Sequence, residues 1–465
     1  MATSSEPFLG TPKNEKTISL KSFFIFLALA AVVCSVAIVS IEFFNGSNNS
    51  FLSTIKSPNI CEHSADQSSC LAVVSEVTTP YSASSAKANK VEILQMILHK
   101  TSSQIQETTT LIKNVRLRIN DQREQSSLDI CSELLDMSRD KITDSMVALG
   151  MTLTTPSNSI YFDVHTWLSA VLTNHNTCMD ELHGQAQSVM KPILKDLISK
   201  ASASLALMVT ITPKKLHHDD LREPLQGDFP SWVTCNADGF IAQNIRFQNT
   251  AGPEGHQAVA LRVSGDKSVI NRCKIDAYQD TLYAHNQRQF YKDCYITGTV
   301  DFIFGNAAVV FQKCNIVARK PMNGQQNMLT AQGKTDKNQN TGTSIQSCTI
   351  SPSKDLAPVK GSFKSFLGRP WKIYSTTVYM ESFIDNHIDP SGWAPWDGSL
   401  GLDTLYYGEY KNNGPGADTS KRVKWKGYHV ITQASEAMKF TVSQLLNGGS
   451  WIKDAGVSFI PGLSN

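Results

Sequence analysis

Two textures of apolar and polar positions divide the chain. From about Val91 to Val209 apolar residues recur at intervals of three and four, the period of helices with one buried face. Val91, Leu94, Leu98, Ile105, Ile112, Val115 and Ile119 make one such face, and Leu128, Leu135, Ile142, Met146 and Leu149 a second. Val164, Trp167, Leu168, Val171 and Leu172 make a third; Val189, Ile193, Leu197, Leu205 and Met208 make a fourth. Four amphipathic helices with short connections predict an all-α four-helix bundle over residues 55–212. Residues 213–233, with three prolines and paired lysines and histidines, read as a linker.

Beyond the linker the helical period stops and a strand motif repeats. Its copies are Asn271-Arg-Cys273-Lys-Ile275, Lys292-Asp-Cys294-Tyr-Ile296, Gln312-Lys-Cys314-Asn-Ile316 and Gln346-Ser-Cys348-Thr-Ile350. Met380-Glu-Ser382-Phe-Ile384 follows more loosely, and Asn244-Ile245-Arg-Phe247 leads. A constant strand core at unequal spacings of 20 to 34 residues marks stacked coils with variable loops. The pattern predicts an all-β right-handed parallel β-helix over residues 234–465. Stacking lines up Cys273, Cys294, Cys314 and Cys348, with neighbours about 4.8 Å apart across strands. A Cys294–Cys314 disulfide is within reach at that spacing, free core thiols being the alternative.

The remaining features set the compartment. After a polar start, residues 1–22, the run 23–44 is apolar apart from Ser35, Ser40 and Glu42, long enough to cross a bilayer as a helix. Lys13, Lys16 and Lys21 precede it, so the chain beyond is expected on the lumenal side. It reads as a signal anchor, a cleaved signal peptide being the alternative. Sequons at Asn45 and Asn48 follow. Of ten cysteines none forms a CxxC pair, and no His/Cys cluster has zinc-ligand spacing, so no metal site is implied. Cys61 and Cys70 are placed to clip a loop, Cys131 and Cys178 to tie two helices. The formal net charge of +2 carries no nucleic-acid footprint. From Pro213 onward 27 Lys and Arg stand against 22 Asp and Glu, a mild bias toward a polyanion.

Candidate chemistry gathers in five segments. These are Gly252-Pro-Glu-Gly-His256-Gln257, Asp276-Ala-Tyr-Gln279-Asp280, Gly298-Thr-Val-Asp301, Leu367-Gly-Arg369-Pro-Trp371, and Gly392-Trp393 with Trp396-Asp397. Asp280 and Asp301 are one coil apart and should be neighbours on one face. Paired carboxylates divide labour when one is ionised and the other holds a proton. Arg369 would keep one of them charged. Gln257 and Gln279 supply amide donors for an oxyanion. There is no Gly-x-Ser-x-Gly elbow.

On these motifs, from about Asp238 to Leu463, the chain resembles the plant pectin methylesterases. The bundle with Cys61, Cys70, Cys131 and Cys178 resembles the inhibitor domain that precedes many of them. The resemblance implies that Asp301 attacks the C6 methyl-ester carbonyl of galacturonate. Asp280 would protonate departing methanol and then activate water. Gln279 with Gln257 would hold the oxyanion, Arg369 would orient Asp301, and Trp371 would face a sugar ring. The implied substrate is methyl-esterified pectin, with no metal or organic cofactor. Contact between the bundle and the catalytic part, and a membrane tether at residues 23–44, are further expectations.

The join at Pro230-Ser-Trp-Val-Thr-Cys-Asn-Ala-Asp238 departs from that pattern. Val233 runs almost directly into a coil beginning at Gly239. A stretch on the order of one hundred residues, holding the N-terminal cap and first coils, is expected to be missing. An open strand edge is a liability, so impaired folding and activity follow as an expectation. The alternative function is a helical inhibitor or regulatory module beside an inert β-helix. A lyase would want calcium-binding carboxylates and a basic proton abstractor. A polygalacturonase would want acids flanking a glycosidic bond. The amide donors fit acyl chemistry better.

Overall fold

A computed structural model describes residues 60–79, 89–150, 156–211 and 233–464. The apolar run 23–44, both sequons and linker residues 213–232 lie outside them. Among the described residues no helix is long and apolar enough to cross a membrane.

The helical part contains one helix more than the sequence period predicts. The helices are α1 (Gln67–Thr78), α2 (Lys90–Arg116), α3 (Gln122–Gly150), α4 (Asn158–Glu181) and α5 (Gly184–Met208). α1 escapes the period because it spans only 12 residues, rich in β-branched valines. Its N-cap is Asp66, and a Cys61–Cys70 disulfide staples its first turn to the preceding chain. α2 starts on a capping box in which Asn89 and Glu92 satisfy each other's backbone N–H. A Cys131–Cys178 disulfide joins α3 to α4. Leu94, Ile105, Leu128, Leu135, Val164, Leu194 and Leu205 are fully enclosed in the common core. Val189, expected on the buried face of α5, is 40% exposed. Leu197, Leu205 and Met208 are buried as expected and Ile193 packs on the core, but in the first turns Ala186, Met190 and Leu194 take the inner side and Val189 falls on the outer one.

The second part is a parallel β-helix. The central coils each contribute a strand to three sheets, as in Leu282–Ala284, Arg288–Lys292 and Tyr295–Gly298. The next coil repeats them as Ile303–Gly305, Ala308–Gln312 and Asn315–Ala318. Among the described residues the first sheet has five strands, the second eight and the third six, paired in parallel. Crossovers between parallel strands take the right hand. Register is exact along the repeat. Phe247, Ile275, Ile296, Ile316, Ile350 and Ile384 stand one above another in the third sheet, buried between the coils.

The turn between the second and third sheets explains the residue before each cysteine. Arg272, Asp293, Lys313, Ser347 and Glu381 all take left-handed backbone, with φ from 51° to 55°. Such angles are uncommon outside glycine. Each is held because its N–H bonds to the carbonyl of the next coil, for example Arg272 to Lys292 (2.8 Å) and Glu381 to Tyr410 (2.9 Å).

The thiols behind these turns form the expected stack, but Cys294 and Cys314 are not joined; both are free and buried, as are Cys235, Cys273 and Cys348. The sulfurs are used instead as hydrogen-bond groups of the turn. Cys294 Sγ faces the carbonyls of Ile270 (3.3 Å) and Lys292 (3.4 Å), and the Cys294 N–H points at Cys314 Sγ (3.4 Å). Ser382 continues the series with its hydroxyl, accepting from the Cys348 N–H at 3.0 Å.

The leading coil, Val233–Cys235, Ile241–Gln243 and Arg246–Gln248, forms an end of each sheet, and Ile241 and Ile245 are exposed there. Its flank is tied to α3: Lys141 meets Asp238 at 2.6 Å and Asn236 donates to Glu133 at 2.7 Å. The C-terminal chain seals the second sheet, where Val442, Leu446, Trp451 and Ile452 pack on Val269, Phe290, Ala308 and Val310.

Ile316→Ala is expected to cost about 2–5 kcal/mol, read from the denaturant midpoint, because it empties a closed stack. Ile245→Ala, at a position 48% exposed, should stay within about 0.5 kcal/mol. The five described thiols should resist alkylation in the native protein and react together on unfolding, read by peptide mass.

Candidate active site

The coil register dictates the site. Leu282 pairs with Ile303 across the first sheet, so residues 21 apart are neighbours. Asp280 and Asp301 lie just before these two strands, and the Asp280 N–H donates to Val300 O at 3.0 Å. Both aspartates are left-handed, with φ of 59° and 51°. A short polar side chain tolerates that geometry best among non-glycine residues. Gly298 lets the coils close here, since a Cβ would strike Thr281, Phe302 and the Tyr278 carbonyl.

Arg369 arrives from a turn outside the sheet. Gly368 sits against Thr330, where any side chain would collide with the Thr330 hydroxyl and carbonyl. The Arg369 N–H donates to Thr330 O (3.0 Å). Its guanidinium then forks onto Asp301, Nε to Oδ1 at 2.8 Å and Nη2 to Oδ2 at 2.6 Å. Trp396 lies under the guanidinium, its ring centre 4.2 Å from Cζ.

This fork makes the two carboxylates unequal. Burial raises the pKa of Asp301 above the usual carboxylate value, and Arg369 offsets part of that rise. Asp280 has no such partner. Burial first, and then the neighbouring Asp301 charge, push it to about 8, with Arg369 opposing from farther away. At neutral pH the pair holds one carboxylate and one carboxylic acid.

The other expected residues fall around this pair. Gln257 and Gln279 meet in a parallel bridge on adjacent coils, and Gln257 is exposed at the rim. Among the described residues neither side-chain amide has a hydrogen-bond partner, so both keep free donors. Trp371 lies edge-on to Phe304 at 6.0 Å. Trp393 is core instead, stacked on Tyr407 at 4.1 Å. Among the described residues no group of His, Cys, Asp and Glu is placed to hold a metal ion.

Two features escaped the sequence reading. Tyr283 and Phe304 stack at 4.3 Å and floor the groove beyond the aspartates. They carry the same 21-residue offset as Asp280 and Asp301, so the register would have found them. The second is Arg319. Its Nη1 donates to Ala277 O (3.0 Å) and Asp276 Oδ1 (3.2 Å), and its Nη2 to the Tyr278 hydroxyl (2.7 Å). It therefore clamps the three residues that lead into Gln279 and Asp280. Only the fold brings it there, 43 positions from Asp276.

Both parts of the chain are similar to known proteins. The profile of the family Pectinesterase matches residues 229–449, and that of Plant invertase/pectin methylesterase inhibitor matches residues 58–211. Pectinesterase/pectinesterase inhibitor 18 of Arabidopsis thaliana is 42% identical over 565 positions, covering 99% of either chain. Pectinesterase 2 of Citrus sinensis is 57% identical over 231 residues, 50% of this chain and 45% of that one. Among solved structures, Pectin methylesterase from Carrot is 59% identical over 50% of this chain and 72% of its own, with a TM-score of 0.49. The chain belongs to the pectinesterase family, and is a carboxylic ester hydrolase with an inhibitor-type helical region ahead of its β-helix. The alignment runs over 565 positions against the chain's 465 residues, so at least 100 of them face a gap in this chain.

Arg319→Ala is expected to lower kcat about 10- to 100-fold with KM little changed, because a misplaced Asp280 affects the chemical step. Arg319→Lys should recover only part of the loss, since a lysine cannot reproduce the fork.

Proposed function

We propose that this groove hydrolyses the C6 methyl esters of galacturonate in pectin, with Asp301 as nucleophile and Asp280 as proton carrier. The observation that carries the reading is the unequal carboxylate pair, one forked by Arg369 and the other holding a proton to about pH 8. The Asp301 carboxylate adds to the ester carbonyl. The tetrahedral oxyanion collects the free amide N–H groups of Gln279 and Gln257. On collapse the C–OCH3 bond breaks and Asp280 gives its proton to the departing oxygen, releasing methanol. The acyl–Asp301 anhydride is then cleaved by water, whose proton returns to Asp280 while its oxygen stays with the sugar. The uronic acid so formed gives water's second proton to solvent, leaving a free uronate, and Asp301 regains its charge beside Arg369. Tyr283, Phe304 and Trp371 offer aromatic faces to neighbouring sugar rings.

Export to the cell wall fits the same reading. Disulfides at Cys61–Cys70 and Cys131–Cys178 belong to an oxidising compartment. The apolar run 23–44 would direct the chain there, and Asn45 and Asn48 would be open to glycosylation.

The direct test is methanol release from highly methylated pectin. Asp301→Ala should lower it by about four orders of magnitude. Unchanged release from the variant, or none from folded wild-type chain, overturns the proposal. The rate should fall as pH rises through about 8, because Asp280 then lacks the proton methanol needs. It should fall again on the acid side, where Asp301 gains a proton and stops being a nucleophile. A rate still rising above pH 9 would remove Asp280 from the acid role.

A further inference from the structure

The last turns of α4 pack against the aromatic strip formed by Tyr283 and Trp371. Thr173, Asn176, Thr177 and Asp180 face Tyr283 and Trp371 across a cavity of only about 10 Å3. That is room for about one water. The carboxylate of Asp180 meets Lys372 Nζ at 2.7 Å.

Lys372 belongs to the binding strip. It directly follows Trp371, and its ammonium is 5.4 Å from the Trp371 ring centre. Trp371 rests on Gly333, where a Cβ would come within 2.8 Å of the indole. From there the strip runs through Phe304 to Tyr283, over which the Arg262 guanidinium sits at 5.4 Å. Phe304 and Tyr283 lie in the strands that follow the two aspartates, each three residues beyond one of them and so separated by at most about 10 Å of chain. Rings lying there belong to sugars next to the reacting one. The Lys372 N–H is tied back to Ser375 Oγ (3.3 Å), so the cation stands on an anchored turn.

We propose that Lys372 is a subsite for the free carboxylate of a uronate neighbouring the reacting ester, and that Asp180 occupies that subsite in the intact chain. This rests on the reading of the groove as a pectin site. A methyl-esterified residue offers this cation no charge, whereas a de-esterified one offers the group that Asp180 supplies. The lysine and aspartate side chains are 28% and 42% exposed. An ion pair so exposed is worth about 1 kcal/mol or less, so a ligand that also covers the aromatic strip can displace it. The occupancy is a competition between two carboxylates for one ammonium group, and added salt weakens both.

The test is calorimetric titration of the full chain with trigalacturonate and with its fully methyl-esterified form. Asp180→Asn should tighten binding of the acid oligomer about fivefold and leave the ester oligomer unchanged. Adding Lys372→Gln to Asp180→Asn should abolish the gain, and Lys372→Arg should keep it, separating charge from fold. Equal tightening of both oligomers, no change with either, or no binding to the Asp180→Asn chain overturns the subsite. So does a gain that survives Lys372→Gln. Binding is read without turnover, so the two readings fail separately. A chain that discriminates the oligomers yet releases no methanol sinks the esterase reading alone. A chain that releases methanol without discriminating them sinks the subsite alone.

Discussion

Everything in the catalytic half depends on the register with which one coil stacks on the next. Backbone bonds between parallel strands fix which residue stands above which, and the side-chain ladders follow. Ile275, Ile296, Ile316, Ile350 and Ile384 close the interior because of it. The same register stands Asp301 beside Asp280, although two buried carboxylates repel. The fold thus imposes a juxtaposition that electrostatics alone would reject. A slip of one residue would turn the isoleucines outward and separate the aspartates together. Stability and chemistry share one constraint.

Arg369 converts that repulsion into a division of labour. It reaches Asp301 by two hydrogen bonds and Asp280 by none, so two like side chains become unequal, Asp280 keeping its proton to about pH 8. The asymmetry needs the tight approach of Gly368 to Thr330, and the packing of Trp396 against the guanidinium. Arg319 serves the partner from the opposite side, gripping the backbone that carries Asp280. Each carboxylate is held by its own arginine, one through its side chain and the other through its chain segment.

The bundle meets the β-helix through polar groups. Ser169, Thr173, Asn174 and Thr177 are buried on one stripe of α4. They bond to Gln339, Asn306, Asn286 and His285 at the turns of successive coils. An interface of hydrogen bonds is specific in geometry but gains little net free energy per contact, because water competes for the same groups. Such a surface can part without exposing an apolar core, unlike the interiors on either side of it.

How much of this was legible in the sequence varies with the range of the interaction. Helical period and the Cys-x-Ile repeat report local geometry, so bundle and β-helix could be read directly. Short α1 and the first turns of the α5 face, where Val189 points outward, were lost because few residues carry the signal. The aspartate pair was legible because its spacing equals one coil, and Tyr283 with Phe304 lay open to the same logic. The thiol stack was legible, but not its state. Spacing allowed a Cys294–Cys314 bond, whereas the turn carbonyls and N–H groups claim the sulfurs instead. What pairs with what over long separations belonged to the tertiary structure, as in Arg319 with Ala277 and Asp180 with Lys372; Arg369 with Asp301 was expected, but its choice of that aspartate came from the family resemblance and not from any period. These contacts leave no period in the chain, since their partners are brought together by the stacking of coils and the docking of α4. The sequence by itself determined the two folds and the carboxylate pair, because periodicity and coil length are properties of local backbone geometry. Only the tertiary structure decided which carboxylate keeps its proton and what fills the groove, because burial and charge proximity exist only after the chain has closed around them.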